Sequence, residues 1–159
     1  MLTVARVYKR IVLTPSGANL VLWVHILAAC VWIGGQIVLA MLVPLLRRDR
    51  AILAAAGRRY QLVAWAAFAV LIATGLGNMA NAGISSHDLT TTPTGRTLTV
   101  KLGFVALSGV AAALHAFVVA PRAGERPTSV LRAASGILGV VALLAAMLAA
   151  LYGVLIAEA

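Results

Sequence analysis

Four long runs of apolar residues, separated by short polar stretches, dominate the hydrophobic pattern of the chain. They cover about residues 19–46, 60–78, 97–120 and 129–157. A helix rises 1.5 Å per residue and needs about 20 apolar residues to cross the hydrocarbon core of a membrane. The pattern therefore predicts an all-α integral membrane protein, built as a four-transmembrane-helix bundle. Pro121 directly follows the third run and is expected to end that helix.

Composition supports a single transmembrane domain over residues 19–157. Hydrophobic residues make up 62% of the chain and charged residues 11%, whereas soluble domains have about 45–50% and about 25%. Abundant aliphatic residues exclude a disordered chain, and Cys30 as the sole cysteine excludes a disulfide scaffold. Residues 1–18 form a basic lead, for which an interfacial helix and an irregular tail are both open interpretations.

The net charge of +9 points to the lipid bilayer as partner rather than to nucleic acid. The basic residues flank the apolar runs, where they contact anionic headgroups and bias orientation, and no nucleic-acid-binding motif is present. The first and third connections hold Arg47, Arg48, Arg50, Arg58, Arg59, Arg122 and Arg126, with Arg132 just inside the fourth helix on the same side. The other side has Arg6, Lys9, Arg10 and Arg96. This bias predicts that the Arg-rich first connection is cytoplasmic and that both termini lie outside.

Polar residues in the first run share one helix face. Trp32 and Gln36 follow His25 by 7 and 11 residues, which are offsets of about 20° to either side of it. Cys30 lies about 140° away. Polar groups in hydrocarbon usually face the bundle interior and mark function, so we expect this stripe to face the other helices.

Two other runs carry matching polar positions. Lys101, Ser108 and His115 recur every seven residues in the third run, and Thr74 and Asn78 share a face of the second. We therefore expect a polar centre between the first three helices, with the nearly featureless fourth helix as an apolar wall.

The depths of the polar residues allow a site near the outer face, a site near the inner face, or both. His25 and Lys101 are expected about 9 Å and about 6 Å below the same side, and His115 about 27 Å down the third helix. The two histidines are then too far apart to ligate one metal ion. His25, Met79 and His87 are reachable from outside as copper ligands, and His25 or His115, with Trp32, could serve haem b. The simpler interpretations are a hydrogen-bonded imidazole and a lysine that snorkels to the headgroups.

Common enzyme motifs are absent from the sequence. There is no phosphate-binding loop, zinc-protease motif, paired-cysteine motif or nucleophile elbow. The sequence leaves open whether the protein is an enzyme. Asp and Glu occur only in connections or at the terminus, which argues against an ordinary proton-coupled transporter.

Three segments resemble the copper-resistance D (CopD) membrane domain family over about residues 19–122. They read His-Ile-Leu-Ala-Ala-Cys-Val-Trp-Ile-Gly-Gly from His25, Thr-Gly-Leu from Thr74, and Gly-Arg-Thr-Leu-Thr-Val-Lys-Leu from Gly95. The resemblance implies a bacterial-type inner-membrane protein tied to copper uptake or homeostasis. The family-like positions are His25, Trp32, Thr74, Gly75, Gly95, Arg96 and Lys101.

A more distant resemblance is to the HemJ family of small haem b proteins. His25, Trp32, Gly35, Lys101 and His115 match it in residue type, which implies a haem b oxidoreductase as the alternative function. A third class is an accessory subunit of a larger membrane complex, or a homo-oligomer, packed through a face with Gly136 and Gly139.

The candidate site residues fall into two groups. Those proposed as metal ligands are His25, His115, Met79 and His87. Those proposed to contact a copper ion or haem b as cofactor are Trp32, Gln36, Arg96, Lys101, Ser108, Thr74 and Asn78.

Overall fold

A computed structural model of the chain describes residues 15–125 and 128–158. Within them lie four helices that are long and apolar enough to cross a membrane: Gly17–Leu46, Arg50–Asn81, Pro93–Arg122 and Ser129–Ala157. We refer to these helices as spans 1 to 4. The predicted all-α, four-span architecture is confirmed. Residues 1–14, which make up most of the predicted basic lead, lie outside the described residues.

Each span begins at a polar side chain that caps its first turn. The hydroxyl oxygens of Ser16, Thr92 and Thr128 and the carboxylate of Asp49 accept hydrogen bonds from backbone N–H groups two or three residues ahead. Such caps satisfy donors that have no partner inside the helix. They explain why span 2 begins at Arg50 and span 3 at Pro93, several residues before their apolar runs begin.

The expectation that Pro121 ends the third helix is wrong. Span 3 changes at Leu114–Val119 to a π-helix and then continues as an α-helix over Ala120–Glu125. The backbone N–H of Ala120 donates to the carbonyl of His115, five residues back. A proline clashes with the carbonyl four residues before it and cannot donate to it. The wider π turn changes the hydrogen-bond pattern just before Pro121, so the helix passes through the proline.

The spans pack as two antiparallel pairs. Span 1 packs along span 2, span 3 packs most extensively along span 4, and span 1 also contacts span 4. We call the two ends of the bundle the His25 end and the His115 end. The His25 end contains the start of spans 1 and 3 and the end of spans 2 and 4, and the His115 end contains the opposite termini.

The connection between spans 2 and 3 folds against the His25 end. It contains a helical turn, Asp88–Thr91, and the hydroxyl of Thr99 in span 3 donates to the carbonyl of Leu89 at 2.9 Å. A Cβ atom at Gly95 would lie 1.8 Å from the carbonyl oxygen of Asp88, so only glycine allows this approach. Hydrogen bonds from the Ser85 hydroxyl and backbone N–H lower the pKa of Asp88, which keeps the carboxylate ionised and the turn closed.

Small side chains fill most of the core, and large apolar side chains point outward. Of the fourteen buried residues in the described part of the chain, nine are alanines and two are glycines. Small residues allow helices in membranes to approach closely. Large outward-facing side chains such as Leu20, Leu62 and Val130 are more than half exposed, as expected for surfaces that contact lipid.

The ring of Phe68 in span 2 packs on Gly109 in span 3, and this contact predicts a stability effect. A Cβ atom at Gly109 would lie 2.6 Å from Cζ of Phe68, whereas nothing lies within 4 Å of the same position at Gly103. We expect Gly109→Ala to lower the free energy of unfolding by about 1–3 kcal/mol, because overpacking displaces the ring. Denaturant unfolding in detergent, followed by tryptophan fluorescence, measures the change.

Gly103→Ala is the matched control, since it adds the same methyl group to an open position in the same span. It should be neutral or slightly stabilising, because alanine favours a helix more than glycine does. Equal effects of the two substitutions would contradict the described contact.

Candidate functional site

The bundle centre is held by a hydrogen-bonded serine. The indole N–H of Trp32 in span 1 donates to the hydroxyl of Ser108 in span 3 at 3.1 Å. That hydroxyl in turn donates to the carbonyl of Ala142 in span 4 at 2.8 Å. Ser108 is 1% exposed and Trp32 is 3% exposed, so three spans meet at one buried oxygen atom.

Aromatic rings occupy the space beside this serine. The rings of Trp32 and Phe68 lie 4.7 Å apart, and Trp65 packs edge-on against Phe68 at 5.7 Å. Trp65 also stacks on Phe117 of span 3 at 5.6 Å. The rings connect spans 1, 2 and 3 at the level where Ser108 connects spans 1, 3 and 4.

At the His25 end, the imidazole of His25 is held by span 2. Its Nδ1 lies 2.9 Å from the hydroxyl oxygen of Thr74. The Thr74 hydroxyl donates its own proton to the carbonyl of Val70 at 2.6 Å. Because a hydroxyl has a single proton, Thr74 accepts from His25. Nδ1 is therefore the donor, and in the neutral form of the ring Nε2 has the lone pair.

Lys101 lies at the same end and packs on span 4. A Cβ atom at Gly153 would lie 3.0 Å from Nζ of Lys101, so the glycine provides room for the ammonium group. The side chain is half-buried. His25 and Lys101 thus face the bundle and not the acyl chains.

At the His115 end, the second imidazole is held by span 4. Nδ1 of His115 lies 2.9 Å from the carbonyl oxygen of Ser135. A carbonyl oxygen only accepts, so Nδ1 is the donor, and in the neutral form of the ring Nε2 then has the lone pair. His115 lies in the π-helical turn, a feature that often occurs at functional sites.

The expectation that span 4 is an apolar wall is wrong. Lys101, Ser108 and His115 do share one face of span 3, but that face contacts Gly153, the Ala142 carbonyl and Ser135, all in span 4. Span 4 contributes its backbone carbonyls and its small residues, which a search for polar side chains overlooks.

The remaining candidates lie apart from these contacts. Gln36 donates to the carbonyl of Trp32 in its own helix, and Asn78 and Met79 are partly buried near the His25 end. His87 and Arg96 are exposed and contact Thr91 in the connection. Within residues 15–125 and 128–158, no group of three or more His, Cys, Asp or Glu side chains could hold a metal ion.

Two residues of the packed centre were not identified from the sequence. The ring of Tyr60 fills the space at Gly35, where a Cβ atom would lie 2.7 Å from it, and its hydroxyl is buried with no hydrogen-bond partner. Phe68 packs on Gly109 in the same manner. The signal available in the sequence was a glycine and an aromatic residue in different apolar runs, and this pattern does not identify which of them meet.

Comparison with known protein families shows to which family the chain belongs. The profile of CopD, "Copper resistance protein D", matches residues 54–156, which is well over half of the chain. The chain belongs to the CopD family. The resemblance inferred from the sequence is confirmed, and the protein is a multi-pass membrane protein of a family linked to copper resistance.

The CopD match covers spans 2 to 4 and therefore includes Thr74, Lys101, Ser108 and His115. It begins after span 1, so His25 and Trp32 lie outside it. No curated protein and no solved structure matches the chain.

The central hydrogen bonds predict a measurable coupling between spans 1 and 3. Ser108→Ala leaves the buried indole N–H of Trp32 without an acceptor, and we expect a loss of about 1–3 kcal/mol in the free energy of unfolding. Replacing both partners, as in Ser108→Ala with Trp32→Phe, should cost less than the sum of the single changes. Unfolding titrations of the four proteins form the double-mutant cycle. Strictly additive losses would show that the two side chains do not interact.

Proposed function

We propose that this CopD-family protein binds copper(I) within the bilayer, with His25 and His115 as ligands at opposite ends of the bundle. The observation that carries the proposal is the state of the two imidazoles. Each donates its Nδ1 proton to an oxygen of a neighbouring span, and each keeps the Nε2 lone pair free to bind a metal.

This arrangement is the one that metal-binding histidines usually have. Their second nitrogen donates to an oxygen that fixes the tautomer and the ring orientation. A purely structural histidine would also make such a bond, but a structural role makes no use of the lone pair on Nε2. The hydrogen bonds of His25 and His115 therefore support a ligand role.

The kind of donor favours copper(I) as cargo. Neutral imidazole nitrogens suit copper and zinc, whereas magnesium and calcium require oxygen ligands, above all carboxylates. The four acidic residues, Asp49, Asp88, Glu125 and Glu158, all lie outside the apolar runs. The family link to copper resistance then favours copper among the remaining metals.

The placement of the two histidines supports a role in copper uptake or homeostasis. His25 lies near one end of the bundle and His115 near the other, with the aromatic rings and Ser108 between them. The excess of arginines at the His115 end is typical of a cytoplasmic face. Copper would thus enter at His25 from outside and leave past His115, in a bacterial-type inner membrane.

Haem b fits the described centre less well. A free imidazole nitrogen suits an axial haem ligand, yet Trp32, Trp65, Phe68 and Phe117 fill the space between the spans. A porphyrin in the same place would have to occupy the volume that these four rings already fill. A Soret band in protein purified after haem-sufficient expression would nevertheless favour the haem oxidoreductase.

Copper(I) titration of the purified chain tests the proposal. In anaerobic competition with a chromophoric copper(I) chelator, we expect His25→Ala and His115→Ala each to weaken copper(I) binding by at least about tenfold at its own end of the bundle and to leave the other site intact, because each removes the ligand nitrogen of one site. His87→Ala, which alters the exposed third histidine, should have a smaller effect.

Cys30→Ser is the control for adventitious binding, since Cys30 is an exposed soft ligand on span 1. It should leave the affinity unchanged. Unaltered copper binding in both the His25 and the His115 variants would overturn the proposal.

The hydrogen bond from His25 to Thr74 predicts a second effect on copper affinity. Thr74→Val keeps the shape but removes the acceptor, and the loss of such a partner weakens metal binding by about 10–100-fold. Thr97→Val is the matched control, because the Thr97 hydroxyl also donates to its own helix, at the Pro93 carbonyl, but receives no hydrogen bond from a histidine. Equal copper affinities of the two variants would contradict a positioning role for Thr74.

A further inference from the structure

We propose that span 2 binds an anionic phospholipid at the His115 end of the bundle. Arg58 and Arg59 pair with the phosphate group of this lipid. The outward-facing side chains of Leu62 and Val63 contact its acyl chains. This inference does not depend on copper binding. It assigns a lipid partner to one face of one span, whereas the net charge of the chain indicates only a general attraction to anionic membranes.

The first supporting observation is the depth of the two arginines. Phe68, in the same span, packs on Gly109 next to the central serine, and Arg58 precedes Phe68 by ten residues. Ten residues of helix extend over about 15 Å, which is about half the thickness of the hydrocarbon core. Arg58 and Arg59 therefore lie at the boundary between the hydrocarbon and the headgroups, where the phosphate groups of lipids are found.

The second observation is that the two arginines do not lie at the end of a helix. Residues 51–57 precede them in span 2 and are all apolar or small. In the antiparallel span 1, Gly35 contacts the ring of Tyr60, and the helix continues from there to Leu46 with almost only apolar residues. Both helices thus extend past the level of the arginines, and their packing holds the arginine backbone at a fixed depth.

The third observation is the row of side chains on this face of span 2. Leu62 and Val63 follow the two arginines by four residues, so each lies one turn closer to the bundle centre on the same face. Leu62 is 76% exposed and Val63 is 58% exposed, and both arginines are exposed. A guanidinium group can donate two parallel hydrogen bonds to a phosphate. A cation with an exposed apolar side chain beneath it therefore matches a headgroup with its acyl chains.

The fourth observation is the charge balance of the two ends. Segments 47–59 and 122–132 at the His115 end contain eight arginines and two acidic residues, Asp49 and Glu125. Both acidic residues lie about 9 Å or more beyond the level of Arg58, and the Asp49 carboxylate accepts from the backbone N–H groups that it caps. Outside residues 1–14, the His25 end has two cations and two acidic residues, namely Arg96, Lys101, Asp88 and Glu158. Anionic lipid is thus favoured at the His115 end, where the protein does not neutralise its own arginines.

Lipid titration of the full chain in detergent tests the proposal. Native mass spectrometry measures the affinity for phosphatidylglycerol and for phosphatidylcholine with the same acyl chains. We expect the parent to bind phosphatidylglycerol more tightly. Arg58→Gln combined with Arg59→Gln should weaken this binding by at least about tenfold, because both partners of the phosphate are lost. The affinity for phosphatidylcholine should change less, because its choline group already neutralises the phosphate.

Arg47→Gln combined with Arg48→Gln is the matched control, since it removes the same charge from the same end of the bundle. These residues follow the last turn of span 1, about 8 Å further from the bundle centre than Arg58. At about 0.15 M salt this distance is about one Debye length, so we expect a loss of less than about threefold. Arg58→Lys combined with Arg59→Lys retains the charge and should retain most of the preference for phosphatidylglycerol, which separates charge pairing from an effect on folding.

Three results would overturn the inference. Equal losses in the two glutamine pairs would show that net charge alone attracts the lipid. Equal affinities of the parent for the two lipids would show that this face selects no anionic lipid, and an acidic protein surface would then be the partner to test. Displacement of phosphatidylglycerol by glycerol phosphate at equal concentration would show a site for free phosphate and not for a lipid. The copper(I) affinity of the arginine variants should equal that of the parent, so the copper proposal is tested separately.

Discussion

The hydroxyl of Ser108 accepts from the Trp32 indole and donates to the Ala142 carbonyl, so spans 1, 3 and 4 meet at one oxygen atom. The hydrocarbon core contains no water that could accept a hydrogen bond from the Trp32 indole in place of Ser108. The bond to Ser108 therefore fixes the rotation of span 1 about its axis. Phe68 and Trp65 then attach span 2 to the same level. Most of the other buried residues are alanines, which let the helices approach but specify little by themselves.

The two histidines follow from this central arrangement. Once span 3 turns Ser108 toward span 4, residues seven positions away on either side face span 4 as well. His115 thereby meets the Ser135 carbonyl and Lys101 meets Gly153. On span 1, the rotation that brings Trp32 to Ser108 also brings His25 to Thr74. One buried contact thus aligns the groups that we propose to handle copper at both ends.

Membership of the CopD family and the described geometry support different parts of the functional argument. The family match covers spans 2 to 4 and links the chain to copper resistance. The Nε2 atoms of His25 and His115 are the ones that we propose to hold copper. The π-helical turn before Pro121 contributes to the second of these sites, because it carries His115 and lets span 3 continue past the proline.

The sequence alone determined the membrane class, the four spans and the residues that share a helix face, because hydrophobic length and helical period depend only on the local chain. The Lys101, Ser108 and His115 stripe was predicted in this way, and so was the interior position of His25. Only the tertiary structure decided that the stripe faces span 4, that Thr74 and Ser135 fix the two imidazoles, and that Pro121 does not end a helix. A helical period shows which side chains share a face. It does not show which neighbouring helix that face contacts, because backbone carbonyls and glycines, which made those contacts here, carry no polar pattern in the sequence.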